Sequence, residues 1–244
     1  MLKKIFNLDF ILNKIFFSLS NEVILRYINS QKILTNAPKS LKVKIFKRIY
    51  ICRKNKLIIS LIPKNGNTSI KNFLNTNLNK VSSDNYILTK ILSNNFQNYK
   101  KIIFFRDPFE RFLSGFKDRN IRRNFSIKNL ELFIKQLCSK NILFNDQHFA
   151  KQSYYILKNL QFYNYVEKIN DLNFTLNKIF FILGIKVKNN VKRLNSTKKL
   201  NLQINKKKLI IFKKKIFKIY KEDYKIWSKL RLRNFKSKFF YKKM

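Results

Sequence analysis

Leu57-Ile58-Ile59-Ser60-Leu61-Ile62-Pro63-Lys64-Asn65-Gly66-Asn67-Thr68-Ser69 is the stretch on which the fold turns. Its first six residues are a short apolar run bounded by turn formers, which predicts a buried strand of a parallel sheet. Pro63–Asn67 predicts a tight loop, and Thr68 with Ser69 opens a helix that runs to about Leu78. Gly66 lets the backbone approach a ligand closely, and the first-turn N–H groups of the helix point at whatever sits in the loop. Lys64, Asn65, Gly66, Asn67, Thr68 and Ser69 together make a cradle for a tetrahedral anion. The order differs from the nucleotide-hydrolase P-loop, whose lysine follows the second glycine at once. Here Lys64 precedes the loop's one glycine.

A second unit of the same kind follows. Lys101–Phe105 is apolar and runs directly into Arg106-Asp107-Pro108-Phe109-Glu110-Arg111. Asp107 suits an N-cap, Pro108 the first helical position and Glu110 the third, a capping box that starts a helix through Ser114 to about Arg119. Enough chain separates the two units for a βαβ crossover, so both loops are expected at the carboxyl edge of one parallel sheet, where open α/β sheets bind ligands. Ser114 lies two helical turns into the new helix. Arg106 and Ser114 can therefore share one anion, the arginine supplying a planar fork of donors. The plain alternatives are an Arg106 paired with Asp107 or Glu110, and an ordinary helix serine. The chain has only three prolines and three glycines, and Pro63, Gly66, Pro108 and Gly115 all fall in these two segments.

Elsewhere the pattern predicts helix over residues 1–35, ended by Pro38, and an edge strand or lead-in over Val43–Cys52. A short helix is expected at Ile87–Ser93 and another at Leu130–Ser139. Asn145–Tyr155 carries the only histidine, His148. A third strand is expected at Phe162–Glu167, a helix at Leu172–Leu183 with Gly184 beyond it, a polar loop at Val191–Lys199, and a long helix at Lys206–Leu230. No linker or repeat divides the chain, so one domain is expected over 1–244, with a core of about 57–230 and an N-terminal helical extension over 1–40.

Lys and Arg number 54 against 12 Asp and Glu, a net charge of +42. Such a charge points to polyanionic partners. The basic residues are spread evenly, however, and Lys, Asn, Ile and Phe are inflated along the whole chain. Compositional drift explains that evenness better than a dedicated nucleic-acid surface does. Two cysteines are too few for a disulfide framework and favour a reducing compartment. The basic, apolar N-terminus is interrupted by Asp9 and Lys14 and has no small-residue cleavage site. It predicts neither a transmembrane helix nor a signal peptide but an amphipathic helix, hence a cytoplasmic protein with peripheral membrane contact as the alternative.

Two anion cradles at one sheet edge suit a nucleotide with phosphates at both ends of its ribose. Pro63–Ser69 and Arg106–Phe116 resemble the donor-binding motifs of the carbohydrate sulfotransferase family. Asp146-Gln147-His148-Phe149-Ala150-Lys151-Gln152 is similar to the family's His-aromatic segment. Phe162–Leu172 is similar to its strand with a Glu-containing turn. Asn195-Ser196-Thr197 and Ile219-Tyr220-Lys221-Glu222-Asp223-Tyr224 resemble its closing loop and helix. Asn65, Asn67 and a missing proline in the His segment depart from the pattern, as does the absence of the Golgi members' anchor.

The resemblance implies a P-loop-like three-layer α/β fold with a central parallel sheet flanked by helices. It also implies transfer of a sulfonyl group from 3′-phosphoadenosine-5′-phosphosulfate, the co-substrate, to a hydroxyl of a carbohydrate or glycoconjugate, with no metal. Lys64 and its loop then take the 5′-phosphosulfate, Arg106 and Ser114 the 3′-phosphate, and His148 is the candidate base, with Glu167 and Glu110 behind it. A basic nucleic-acid-binding protein and a nucleotide kinase-like P-loop protein are the competing readings. The first lacks a recognisable binding module, and the second lacks the Gly-Lys-Ser/Thr order.

Overall fold

In the computed structural model the described residues are 37–46, 48–78, 96–120, 127–139, 142–157, 159–169, 171–190 and 206–240. The expected helices at 1–35 and 87–93 and the expected loop at 191–199 lie outside them. Four strands form one sheet in the order β1 (Ile49–Cys52), β2 (Leu57–Ser60), β3 (Lys100–Phe105) and β4 (Tyr165–Lys168). β2, β3 and β4 are parallel, with Ile59 opposite Ile102 and Phe104 opposite Glu167. The edge strand β1 runs antiparallel to β2.

Alternation along the strands sends side chains to two separate cores. On one face Ile49, Ile51, Ile58, Ile103 and Phe105 pack with Leu41 and Ile45 of α1 (Lys39–Phe46), with Tyr154, Tyr155 and Tyr163, and with Leu230. On the other, Tyr50, Ile59, Ile102 and Phe104 meet Ile70, Phe73 and Leu74 of α2 (Asn67–Asn77). They also meet Leu176, Ile179 and Phe180 from the later helix Leu172–Ile182. Helix, sheet and helix make the three layers expected. β2 and β3 are buried on both faces, which is why they read as continuous apolar runs.

A third core lies beyond the sheet. It is built by α3 (Pro108–Asn120), α4 (Ile127–Ser139), the short α5 (Ile142–Asn145) and a later helix, through Phe112, Phe116, Leu130, Leu137, Phe149, Phe212 and Ile216. The remaining helices are α6 (Leu172–Ile182), α7 (Lys206–Ile219) and α8 (Lys221–Phe240).

Three local expectations are corrected. Residues 43–46 belong to α1 and only Ile49–Cys52 is strand, because Leu41 and Ile45 recur at helical spacing and fill the core. The single helix expected over Lys206–Leu230 breaks at Tyr220. There the Tyr220 hydroxyl donates to the Phe149 carbonyl at 2.6 Å, while the buried Asp223 carboxylate accepts from the Gln152 and Ser153 N–H groups at 2.7 and 2.9 Å. The bend brings both anchors onto one short segment. The capping box at α3 is one-sided: Asp107 Oδ1 accepts from the Phe109 and Glu110 N–H groups, and the Glu110 carboxylate stands 3.9 Å from Arg106 instead.

Candidate active site

The loop after β2 and the loop after β3 leave the carboxyl ends of neighbouring parallel strands and lie against each other. Lys64 adopts φ 70° and Gly66 φ 74°. The left-handed region is costly for a residue with a side chain, so Lys64 needs holding. Arg106 Nη1 donates to the Lys64 carbonyl at 3.0 Å, and the buried Arg111 donates through Nε to the Pro63 carbonyl at 2.9 Å. Both arginines come from the second motif, so the end of β3 and the start of α3 together clamp the first loop. Burial pulls the Arg106 guanidinium below the usual arginine value, with Glu110 and Asp107 opposing; an arginine stays charged regardless.

Gly66 is the N-cap of α2 and offers no side-chain hydrogen bond, so the helix opens toward the loop uncapped. Lys64 Nζ lies 2.6 Å from Asp118 Oδ2 of α3. Thr68 is exposed at the first turn, Ser69 is buried, and Asn67 Oδ1 is a buried acceptor without a partner among the described residues. Ser114 is half-buried on α3, one turn from Glu110 and one from Asp118. Among the described residues its hydroxyl has no hydrogen-bond partner.

Asn65 is placed differently from the expectation. It is fully buried and its side chain turns inward, Nδ2 donating to the Phe104 carbonyl and to Gln152 Oε1, each at 2.8 Å. Its own N–H closes the turn onto Ile62. Asn65 is therefore a peg fixing the loop to β3, with no donor left for an anion.

The residue that ties the loops together is one the motifs did not single out. Gln152, fully buried, accepts from Asn65 Nδ2 and from the Arg106 N–H through Oε1, and donates through Nε2 to the Arg106 carbonyl at 2.8 Å. One side chain thus sets the register of both loops, and its backbone is pinned in turn to Asp223. Arg111 and Asp118 were legible only as helix positions one turn from residues already chosen.

His148 sits in a turn beside α3. Its carbonyl would meet a Cβ on Gly115 at 3.2 Å. Nδ1 lies 3.1 Å from Asp146 Oδ1, which also accepts the His148 N–H at 2.9 Å, while Asp146 Oδ2 pairs with Arg119 at 3.2 Å. Burial would push the Asp146 carboxyl up; the hydrogen bonds from His148 and the charges of His148 and Arg119 outweigh it and hold the group below the usual carboxylate range. An open cleft of about 440 Å³ is lined by Lys44, Arg119, Asn145, Asp146, Gln147 and His148. None of Lys64, Arg106 and Ser114 lines it. His148 and the two strand-end loops thus occupy adjoining flanks of α3, bridged by Arg111, which bonds the Pro63 and Gln147 carbonyls. Glu167 lies within β4, its carboxyl pushed up by burial with Lys178 opposing. Among the described residues no group of three His, Cys, Asp or Glu is placed to hold a metal ion, and no helix is long and apolar enough to cross a membrane.

Comparison with curated proteins and with solved structures gives no match. A family model described as the sulfotransferase family matches residues 47–228, from the start of β1 through the anchoring turns of α8. That span holds both strand-end loops, the Gln152 clamp and the His148 turn, and the chain belongs to the sulfotransferase family.

Proposed function

We propose that the protein transfers a sulfonyl group from 3′-phosphoadenosine-5′-phosphosulfate to a hydroxyl of a carbohydrate or glycoconjugate. Membership of the family supports a sulfate donor and an acceptor. One observation carries the finer reading: Lys64 and Arg106 are brought within one hydrogen bond of each other at the edge of β2 and β3. Beside them lie a helix with no side-chain cap and a serine hydroxyl without a hydrogen-bond partner among the described residues. That donor set fits two anionic groups on one ligand and offers nothing specific to an apolar one.

The donor brings an already activated sulfonyl group. Lys64 and the α2 N-terminus hold its 5′ end, and Arg106 with Ser114 holds the 3′-phosphate. As the acceptor oxygen bonds to sulfur and the sulfur–oxygen bond to phosphate breaks, charge grows on the departing phosphate oxygen. Lys64, fixed by φ and by its carbonyl, is positioned to stabilise it. The acceptor proton needs a base. A carboxylate only accepts, so Asp146 keeps the hydrogen of His148 on Nδ1 and leaves Nε2 to take a proton. The cleft beside His148 is the acceptor's approach.

Isothermal calorimetry tests the donor assignment. Arg106→Ala should weaken binding of adenosine 3′,5′-bisphosphate by about 2–4 kcal/mol, the range for losing a charged partner at a partly buried anion. Adenosine 5′-monophosphate should lose less, by the part of the effect that comes from loosening the Lys64 carbonyl. Equal losses for both ligands would make Arg106 a purely structural residue.

A further inference from the structure

Each of the two cations at this site already has an acidic partner, and both partners come from one stripe of α3. Asp118 pairs with Lys64 at 2.6 Å and Glu110 with Arg106 at 3.9 Å. Glu110, Ser114 and Asp118 are spaced four residues apart, so they share a helix face. The two carboxylates flank the Ser114 hydroxyl, which has no hydrogen-bond partner among the described residues. We infer that Glu110 and Asp118 are stand-in anions for the two ends of the donor, each occupying the cation that one phosphate must claim, so that every phosphate entering the site first displaces a carboxylate of the α3 stripe. This rests on the donor site proposed above.

The charges set the direction of the effect. Asp118 is 44% exposed and Glu110 60% exposed, so each can swing into water when a phosphate replaces it, at little cost to the fold. A ligand with one phosphate displaces one carboxylate and leaves the other on its own cation. A bisphosphate displaces both and meets two freed cations. The carboxylates thereby lower absolute affinity, a monophosphate's through one pair and the bisphosphate's through both, which favours release of the bisphosphate product.

Three probes on three proteins test this by calorimetry: adenosine 5′-monophosphate, adenosine 3′-monophosphate and adenosine 3′,5′-bisphosphate, on the unaltered chain, Asp118→Asn and Glu110→Gln. Exposed ion pairs are weak, so the expected gain is about two- to fivefold. Asp118→Asn should tighten the 5′-monophosphate by that factor and leave the 3′-monophosphate unchanged, and Glu110→Gln should do the reverse. Both variants should tighten the bisphosphate. A loss of affinity in either variant would overturn the inference and make that carboxylate a positioning group for its cation. So would equal changes for the two monophosphates, or no change while the unaltered chain binds the bisphosphate. If the unaltered chain binds none of the three, the donor site itself is misassigned and the inference falls with it.

Discussion

Lys64 is held at three points: φ in the left-handed region, a carbonyl bonded to Arg106, and an ammonium on Asp118. His148 is held at one, through Asp146. That contrast separates what each does in the proposed reaction, since a charge stabiliser must be fixed whereas a base must meet a moving proton. A general base contributes about 10²–10⁴-fold, so His148→Ala should lower turnover by that factor while calorimetry finds bisphosphate affinity unchanged. Near-normal turnover would move the base to another residue. Asp146 adds a stability test. Its carboxyl titrates lower in the folded chain than in the unfolded one, so its contribution is present above the unfolded value of about 3.9 and is lost as pH falls through the folded value. In urea titrations Asp146→Asn should be less stable than the unaltered chain at neutral pH, and the gap should close on acidification below about pH 4. A gap that stays constant with pH would mean that the carboxylate's charge is not what matters.

The element that organises the site is α3, which carries two stripes one residue apart and so about 100° apart around the helix. Glu110, Ser114 and Asp118 face the two loops that carry Lys64 and Arg106. Arg111, Gly115 and Arg119 face the His148 turn: Arg111 Nη2 reaches the Gln147 carbonyl at 3.3 Å, Gly115 lies against the His148 carbonyl, and Arg119 pairs with Asp146. Glycine at position 115 is explained by that approach. An added Cβ would lie 3.1 Å from the Phe149 ring and 3.2 Å from the His148 carbonyl. The turn it would push on is closed by Phe149 and Ala150 N–H groups on the Asp146 carbonyl, and so has little room to give. Gly115→Ala gains helix propensity of about 1 kcal/mol, but overpacking costs about 1–3 kcal/mol. We expect net destabilisation of about 1 kcal/mol by urea titration, with turnover falling and bisphosphate affinity kept. A more stable variant with normal turnover would show that the turn yields.

For the whole molecule, the charge of +42 outweighs every other electrostatic influence outside the cores. Acidic residues are too few to neutralise it, and self-repulsion destabilises the compact state. Salt shortens the screening length from about 8 Å at 0.15 M to about 3 Å at 1 M. The exposed ion pairs it weakens are each worth little. Raising sodium chloride over that range should therefore raise the melting temperature in scanning calorimetry. A falling melting temperature would mean that the few acidic side chains, Asp118, Asp146 and Asp223 among them, outweigh the general repulsion.

The residue order by itself determined the two strand–loop–helix units, their parallel pairing, the three-layer fold and the placing of two cations, Lys64 and Arg106, at the strand ends. These are short-range matters: apolar runs, caps and glycine positions act within a few residues. It also marked the segment 146–152 through its single histidine. Only the tertiary structure decided which side chains of those motifs serve the ligand and which serve the loops. Asn65 looks like a ligand group in the chain and is a buried peg in the fold, because the amide reaches Gln152 some 87 residues away. Arg111 and Gln152 lie inside the quoted motifs and Asp118 just beyond one, but their roles are not legible there, since their partners Pro63, Arg106 and Lys64 lie across the sheet edge. The break at Tyr220 is the same case: apolar spacing runs unbroken through it, and only its bond to Phe149, with Asp223 on Gln152, bends the chain.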